Sequence, residues 1–323
     1  MSIGGHDPER STAENYLIFG REAHRRSPLY ESLAAAVAAD ELVLEFLTAL
    51  PRAKRQPNLL FAAARYLLDA PPAIGTLRTL VRENGTELSH VMQARRTQTN
   101  EPARCATLLP ALAALPGPLA LIEVGASAGL TLLFDRYSYD YDGHRIAGRD
   151  PDAPTLRCAV RGPVPLPARV PDITWRAGLD LNPLDVTCED DVRWLSCLVW
   201  PGESDRQDRL AAAIATARRD PPPVHRGDLL TDLPALAAQA PAGATLVIYH
   251  SAVLAYVAAQ DRERFSRTVL DLADVWLSNE APGVVPGLPF TAFQEATFVL
   301  GRGGRTALAF TDGHGAWLRW LDG

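Results

Sequence analysis

Along the first third of the chain, apolar residues recur at three- and four-residue intervals. The stretches ENYLIFGREAHRR, PLYESLAAAVAADELVLEFLTAL and NLLFAAARYLLDA each carry such a stripe, and their Ala and Leu content favours helix. Pro28, Pro51, Pro57 and the Pro71-Pro72 pair punctuate them. The pattern predicts an all-helical N-terminal domain over residues 1–115. It lacks the period of roughly 20–50 residues that a solenoid requires.

From about residue 118 short apolar runs alternate with helical segments. PLALIEV leads to GLTLLFDRY, ITWRAGLDL to DDVRWLSCLVW and DRQDRLAAAIATARR, then VHRGDLL to PALAAQA, ATLVIYH to DRERFSRTVLDLA, and DVWLSNE follows. Such alternation predicts a parallel sheet flanked by helices, an α/β domain over residues 116–323. The end differs: EATFVLG, the turn RGGR and TALAFTD form an expected antiparallel hairpin, with AWLRWL as a further strand. Residues 137–172 do not fit a βαβ unit. YSYDYDG and LRCAVRG alternate, and Pro-rich VPLPARVP follows, so an inserted hairpin and loop are expected there.

Composition narrows the class. The 323 residues are 47% hydrophobic and 22% charged, ample for a substantial core. No apolar run reaches the roughly 20 residues of a membrane span, and the N-terminus lacks a signal-peptide pattern, so a cytoplasmic protein is expected. A net charge of −6 argues against broad nucleic-acid binding. Lys54 is the only lysine among 32 basic residues, consistent with a GC-rich coding sequence. Cys105, Cys158, Cys188 and Cys197 include no C-x-x-C pair, and no H-E-x-x-H is present, so no metal site is expected.

The strongest local signal is Leu121-Ile-Glu-Val-Gly-Ala-Ser-Ala-Gly-Leu130. An apolar strand runs into glycines and then into GLTLLFDRY, read as a helix whose free N–H groups face the loop. The dinucleotide fingerprint and the P-loop both fail in the letters. The segment resembles the first motif of class I S-adenosylmethionine-dependent methyltransferases, an acid followed by G-x-G-x-G. Glu123, Gly125 and Gly129 match, and Ser127 replaces the middle glycine. The resemblance implies a Rossmann-like sheet ending in an antiparallel hairpin. It also implies S-adenosylmethionine as cofactor, its methionine part wrapped by this loop and its amino group positioned by Glu123.

The resemblance calls next for an acid holding the ribose hydroxyls, and two readings stand. Asp180, in Ala177-Gly-Leu-Asp-Leu-Asn-Pro183, has the family's G-x-D context but lies 55 positions beyond Gly125, where about 20 is usual. Asp140 and Asp142 have the better spacing without the context. Asp228 and Leu229, in His225-Arg-Gly-Asp-Leu-Leu230, resemble the strand ending near the adenine. His250 and Glu280 end the fourth and fifth expected strands, where ligands of open α/β sheets bind. His250 is a candidate general base and Glu280 a candidate for contacting the acceptor. A packing histidine and an exposed loop carboxylate are the plainer readings.

Arg95-Arg-Thr-Gln-Thr-Asn-Glu-Pro-Ala-Arg104 is densely polar. The whole chain resembles a bacterial family of uncharacterised proteins that carries R-x-x-Q-T-N-E, then E-V-G-A-S-A-G, a G-x-D-x-x-P-x-D block and an R-W-L…W-P segment. Here these are residues 95–101, 123–129, 178–185 and 193–201. On this likeness Gln98, Asn100 and Arg104 are expected at the cofactor mouth, Arg104 pairing with the methionine carboxylate. Trp194 and Trp200 read as core-facing. The expected activity is methyl transfer to a small-molecule acceptor, without membrane or nucleic-acid partner, and with a homodimer as an option. Two alternatives stay open. One is a non-catalytic binder of the same cofactor, because no N-P-P-Y-type block follows the fourth strand. The other is a serine hydrolase, because Gly125-Ala-Ser-Ala-Gly129 also spells G-x-S-x-G, with Ser127 as nucleophile and a histidine such as His314.

Overall fold

The structure, a computed structural model, describes residues 10–24, 26–290 and 298–321. Helices α1 (Thr12–Ala23), α2 (Pro28–Ala38), α3 (Glu41–Thr48), α4 (Pro57–Leu68) and α5 (Ile74–Ala94) fill the first third of the chain. Their starts follow local chemistry. Ser11 and Glu14 form a reciprocal capping box on α1, Asp40 accepts the Val43 N–H at 3.1 Å, and Pro28 and Pro57 open α2 and α4. No helix among the described residues is long and apolar enough to cross a membrane.

Helix α6 (Arg104–Ala113) precedes β1 (Leu119–Val124). Strands β2 (Ser138–Tyr141), β3 (His144–Ile146), β4 (Thr155–Arg157) and β5 (Ala159–Val160) follow, then β6 (Ile173–Asp180), α7 (Glu189–Leu198), α8 (Ser204–Arg219) and β7 (Val224–Arg226). Next come α9 (Leu233–Ala237), β8 (Thr245–Ser251), α10 (Ala259–Leu272), β9 (Val275–Glu280), β10 (Phe298–Arg302), β11 (Thr306–Thr311) and β12 (Trp317–Trp320). Nine strands form one sheet in the order β5-β12-β11-β10-β9-β8-β1-β6-β7. From β7 to β9 all neighbours are parallel, whereas β9 to β12 is an antiparallel meander. Every residue of β1 and β9 is buried, as expected of parallel strands covered on both faces.

The terminal hairpin forms as the turn chemistry predicts, with Gly303 and Gly304 both at positive φ. Of the expected strand EATFVLG, residues 295–297 lie outside the described residues. The insertion over 137–172 does contain a hairpin, β2–β3, turned by Asp142 and Gly143 at positive φ. Strand β4 joins it as a small three-stranded sheet, while β5 pairs with β12 at the edge of the large one.

The chain divides into two compact units, one comprising Ser2–Thr99 and Cys188–Asp208, the other Asn100–Thr187 and Arg209–Gly323. The expected boundary at 115 therefore shifts. Helix α6 belongs with the sheet, because all residues from Arg104 to Leu112 are buried there. Helix α7 belongs with the N-terminal helices. Arg95 reaches Asp190 and Asp191 on it, Trp194 Nε1 donates to the Arg96 carbonyl at 2.9 Å, and Arg193 donates to the Tyr66 carbonyl at 2.6 Å. Trp194 and Trp200 are core residues of that unit, Trp200 lying tilted against the rings of Phe19 and Tyr30.

Candidate functional site

Numbered along the chain, the five parallel strands β7-β6-β1-β8-β9 run 3-2-1-4-5, so the order reverses between β1 and β8. In open α/β sheets the crevice beyond the strand ends at this reversal is where ligands bind. The loop leaving β1 lies there. Gly125, Ser127 and Gly129 take left-handed φ values of 73°, 53° and 72°. The loop hangs on β6: Gly125 N–H donates to the Leu179 carbonyl at 2.7 Å, and Ser127 N–H to Asp180 Oδ2 at 2.8 Å. Asp180, which also accepts the Asn182 N–H at 2.7 Å, thus fixes the loop. Asp180, not Asp140 or Asp142, stands beside the loop. Asp140 and Asp142 brace the inserted hairpin, accepting the Gly143 and Val160 N–H groups.

The segment after the loop corrects the expectation of a helix. Only a 3₁₀ turn, Leu130–Leu132, forms, and Leu130 to Asp135 are all buried. Side chains satisfy this backbone instead of helical N–H groups. Asn100 Oδ1 accepts the Leu130 N–H at 2.8 Å. Tyr137 donates to the Leu130 carbonyl at 2.8 Å, Tyr249 to Thr131 at 3.0 Å, Arg176 to Leu132 at 2.9 Å and Tyr139 to Phe134 at 2.7 Å. No helix N-terminus therefore faces the loop, and Asn100 is a cap for this turn.

Beneath the loop Glu123 is buried, one oxygen bonded by Thr131 Oγ1 and Oε2 without a partner. Burial pushes its carboxyl up to about 8, although Thr131, Arg104 and Tyr249 favour the anion. Arg104, expected at the cofactor mouth, is itself buried. Its Nε donates to the Gly313 carbonyl at 2.9 Å and one terminal nitrogen to the Ser251 carbonyl at 3.2 Å, so it ties α6 to the ends of β8 and β11.

His250 and Glu280 are fully buried, which corrects their expected roles as base and acceptor contact. Trp276 Nε1–H donates to His250 Nε2 at 3.0 Å, which fixes the tautomer, and Nδ1–H donates to Glu280 Oε1 at 2.7 Å. In this arrangement, with both nitrogens engaged and the ring buried, His250 stands as a packing residue that aims Glu280. Glu280 Oε1 also accepts the backbone N–H groups of Val253 and Leu254, at 2.8 and 3.1 Å. Val253 in turn lies against the loop: a Cβ built on Gly125 would sit 2.3 Å from Val253 Cγ2. The signal for Val253 was absent from the sequence because it lies in no motif and far along the chain from Gly125.

Asp228 follows β7 and turns its own loop, Oδ1 accepting the Leu230 N–H at 2.7 Å; Asp228 and Leu229 are half-exposed. Gln98 is half-buried in the helical unit. Arg95 from the same motif holds Asp190 and Asp191 while lying over the rings of Tyr66 and Trp194. Lysine cannot span two carboxylates in this manner. Arg95→Lys is therefore expected to destabilise the helical unit by about 1–2 kcal/mol, read by denaturant unfolding followed through Trp fluorescence. An unchanged midpoint would show the fork to be dispensable.

No curated protein and no solved structure matches the chain. A family model described as "Uncharacterized protein conserved in bacteria (DUF2332)" matches residues 13–320. The loop, its two acids and the Arg95–α7 fork all fall inside that match, and the chain belongs to this family.

Proposed function

We propose that the chain is an S-adenosylmethionine-dependent methyltransferase acting on a small molecule. The observation that carries this reading is Glu123: a buried acid with an unpartnered oxygen, ending the first strand beneath a left-handed glycine loop at the reversal of the strand order. An orphaned carboxyl oxygen, able to ionise when a cation arrives, fits the ammonium of the cofactor's amino-acid end. Half-exposed Asp180, at the same rim, is suited to the ribose hydroxyls, and Asp228 with Leu229 to the adenine edge. When bound, the cofactor would supply an already activated methyl group. The chain's contribution is then to align the acceptor and exclude water, worth on the order of 7–11 kcal/mol of barrier. His250 acts only through Glu280, by positioning the segment after β8.

The test uses the protonation state of Glu123. Near pH 7 its folded carboxyl holds a proton. An ammonium beside Oε2 would favour the anion, so binding of S-adenosylhomocysteine is expected to release close to one proton. Calorimetry in two buffers of different ionisation enthalpy reads that number directly, and Glu123→Gln should abolish the release and weaken binding at least tenfold. No binding at millimolar ligand removes the proposal. Binding without transfer of labelled methyl to any acceptor leaves the non-catalytic binder.

A second reading rests on Ser127, whose φ of 53° at the centre of G-A-S-A-G resembles the strained turn of a nucleophile elbow. Labelling of Ser127 by a fluorophosphonate, abolished in Ser127→Ala, would favour a hydrolase over the methyltransferase.

A further inference from the structure

We propose that residues 252–257, the strap that follows β8, form a gate over the glycine loop, with Val253 as the side chain that closes it. The proposal rests on the methyltransferase reading for the identity of the ligand, but not for the motion itself.

The space beside Gly125 is where a ligand backbone or ammonium would approach, and Val253 fills it. The strap begins at Ala252 in a left-handed conformation, φ 60°, an unfavourable state for a residue with a Cβ. Little holds it by packing, since among its residues only Leu254 is buried and Tyr256 is 57% exposed. Its entry is tied to β9, where Ala252 N–H donates to the Asn279 carbonyl at 3.1 Å; beyond that bond two side chains hold it. Glu280 Oε1 takes the N–H groups of Val253 and Leu254 from below. On the other side Arg262, from α10, donates to the Val257 carbonyl at 2.8 Å and the Ala255 carbonyl at 3.2 Å.

The anchor on the acid side is one-sided. Three donors converge on Oε1 of Glu280, while Oε2 is buried with none. His250 and Trp276 keep the carboxylate aimed at the strap. Beyond the Ala252–Asn279 bond, a segment secured by two side-chain clamps, with a left-handed entry residue and one buried side chain, can open as a unit while β8 beneath it stays paired. Its departure uncovers Gly125. Ligand affinity is then reduced by the fraction of molecules that are open, and Val253 sets that fraction.

Two measurements decide it. Amide hydrogen exchange on the ligand-free chain is expected to show Val253 and Leu254 exchanging at least 100-fold faster than Val247 to Tyr249 of β8, and a further tenfold faster in Arg262→Gln or Glu280→Gln with β8 unchanged. Protection equal to that of β8 in the wild type and in Arg262→Gln overturns the gate, whatever the ligand. In the second measurement, Val253→Ala is expected to bind S-adenosylhomocysteine at least tenfold more tightly than the wild type. Equal affinities overturn Val253 as the closing side chain. Fast exchange with no binding by either protein sinks the cofactor assignment and leaves the opening motion standing.

Discussion

Unfolding Glu123→Gln beside the wild-type chain at pH 5, 6.5 and 8 is expected to show the variant gaining relative stability as pH rises. The sign follows from linkage. In the folded chain the carboxyl titrates at about 8, against an ordinary value of 4.5, because burial opposes its charged form. Between those values the folded state keeps a proton that the unfolded chain has released. Raising the pH therefore favours unfolding: the contribution is whole below about 4.5 and is lost progressively as pH climbs through the folded value, by about 1.4 kcal/mol per pH unit. From pH 5 to 8 the difference between variant and wild type should move by on the order of 4 kcal/mol. Denaturant midpoints at the three pH values give it. A difference that stays flat would mean that Glu123 is ionised throughout, and the proton release expected on ligand binding would vanish with it.

The second large effect is expected at the turn that receives Arg104. Gly315 has φ 82°, and a Cβ built on it would lie 2.2 Å from the Ala103 carbonyl oxygen and 2.3 Å from its carbon. The turn carrying Gly315 is held by its own hydrogen bonds. Asp312 Oδ1 accepts the His314 and Ala316 N–H groups, at 2.8 and 3.2 Å, and Gly315 N–H donates to the Asp312 carbonyl at 3.1 Å. Gly315→Ala is expected to destabilise the sheet unit by about 3–5 kcal/mol. Gly162→Ala is the control, because its φ of 85° carries the same backbone penalty with nothing within 4 Å of the added carbon. It should cost only about 1 kcal/mol. Equal losses in thermal or denaturant unfolding would assign the effect to the dihedral angle and not to the meeting with Ala103.

Much of this architecture was legible in the chain. The alternation of apolar runs with amphipathic segments placed β1, β6, β8 and β9 and the helices between most of them, and R-G-G-R placed the β10–β11 turn. The failures have a common physical form. GLTLLFDRY has helical spacing, yet its backbone partners are tyrosine, asparagine and arginine side chains from elsewhere in the chain, and no local pattern announces them. His250 and Glu280 were located correctly at strand ends. Their burial, however, depends on Trp276, Phe265 and the strap, three elements that meet only in the folded unit. Asp180 could be singled out by context, but its bond to the Ser127 N–H was visible only once β6 lay beside β1. The exchange of α6 and α7 between the units was likewise invisible to periodicity, since the partner of each helix is set by tertiary contacts and not by its own spacing.

The stretch from Leu130 to Phe134 has a consequence for the order of assembly. A helix there would carry its own hydrogen bonds and could appear early. This stretch instead takes its partners from Asn100, Tyr137, Tyr139, Arg176 and Tyr249, the last 118 positions away along the chain. The bonds to Arg176 on β6 and Tyr249 on β8 close only once those strands lie beside β1. The segment that supports the floor of the glycine loop is thus a keystone, held by side chains from elsewhere in the chain more than by its own turn.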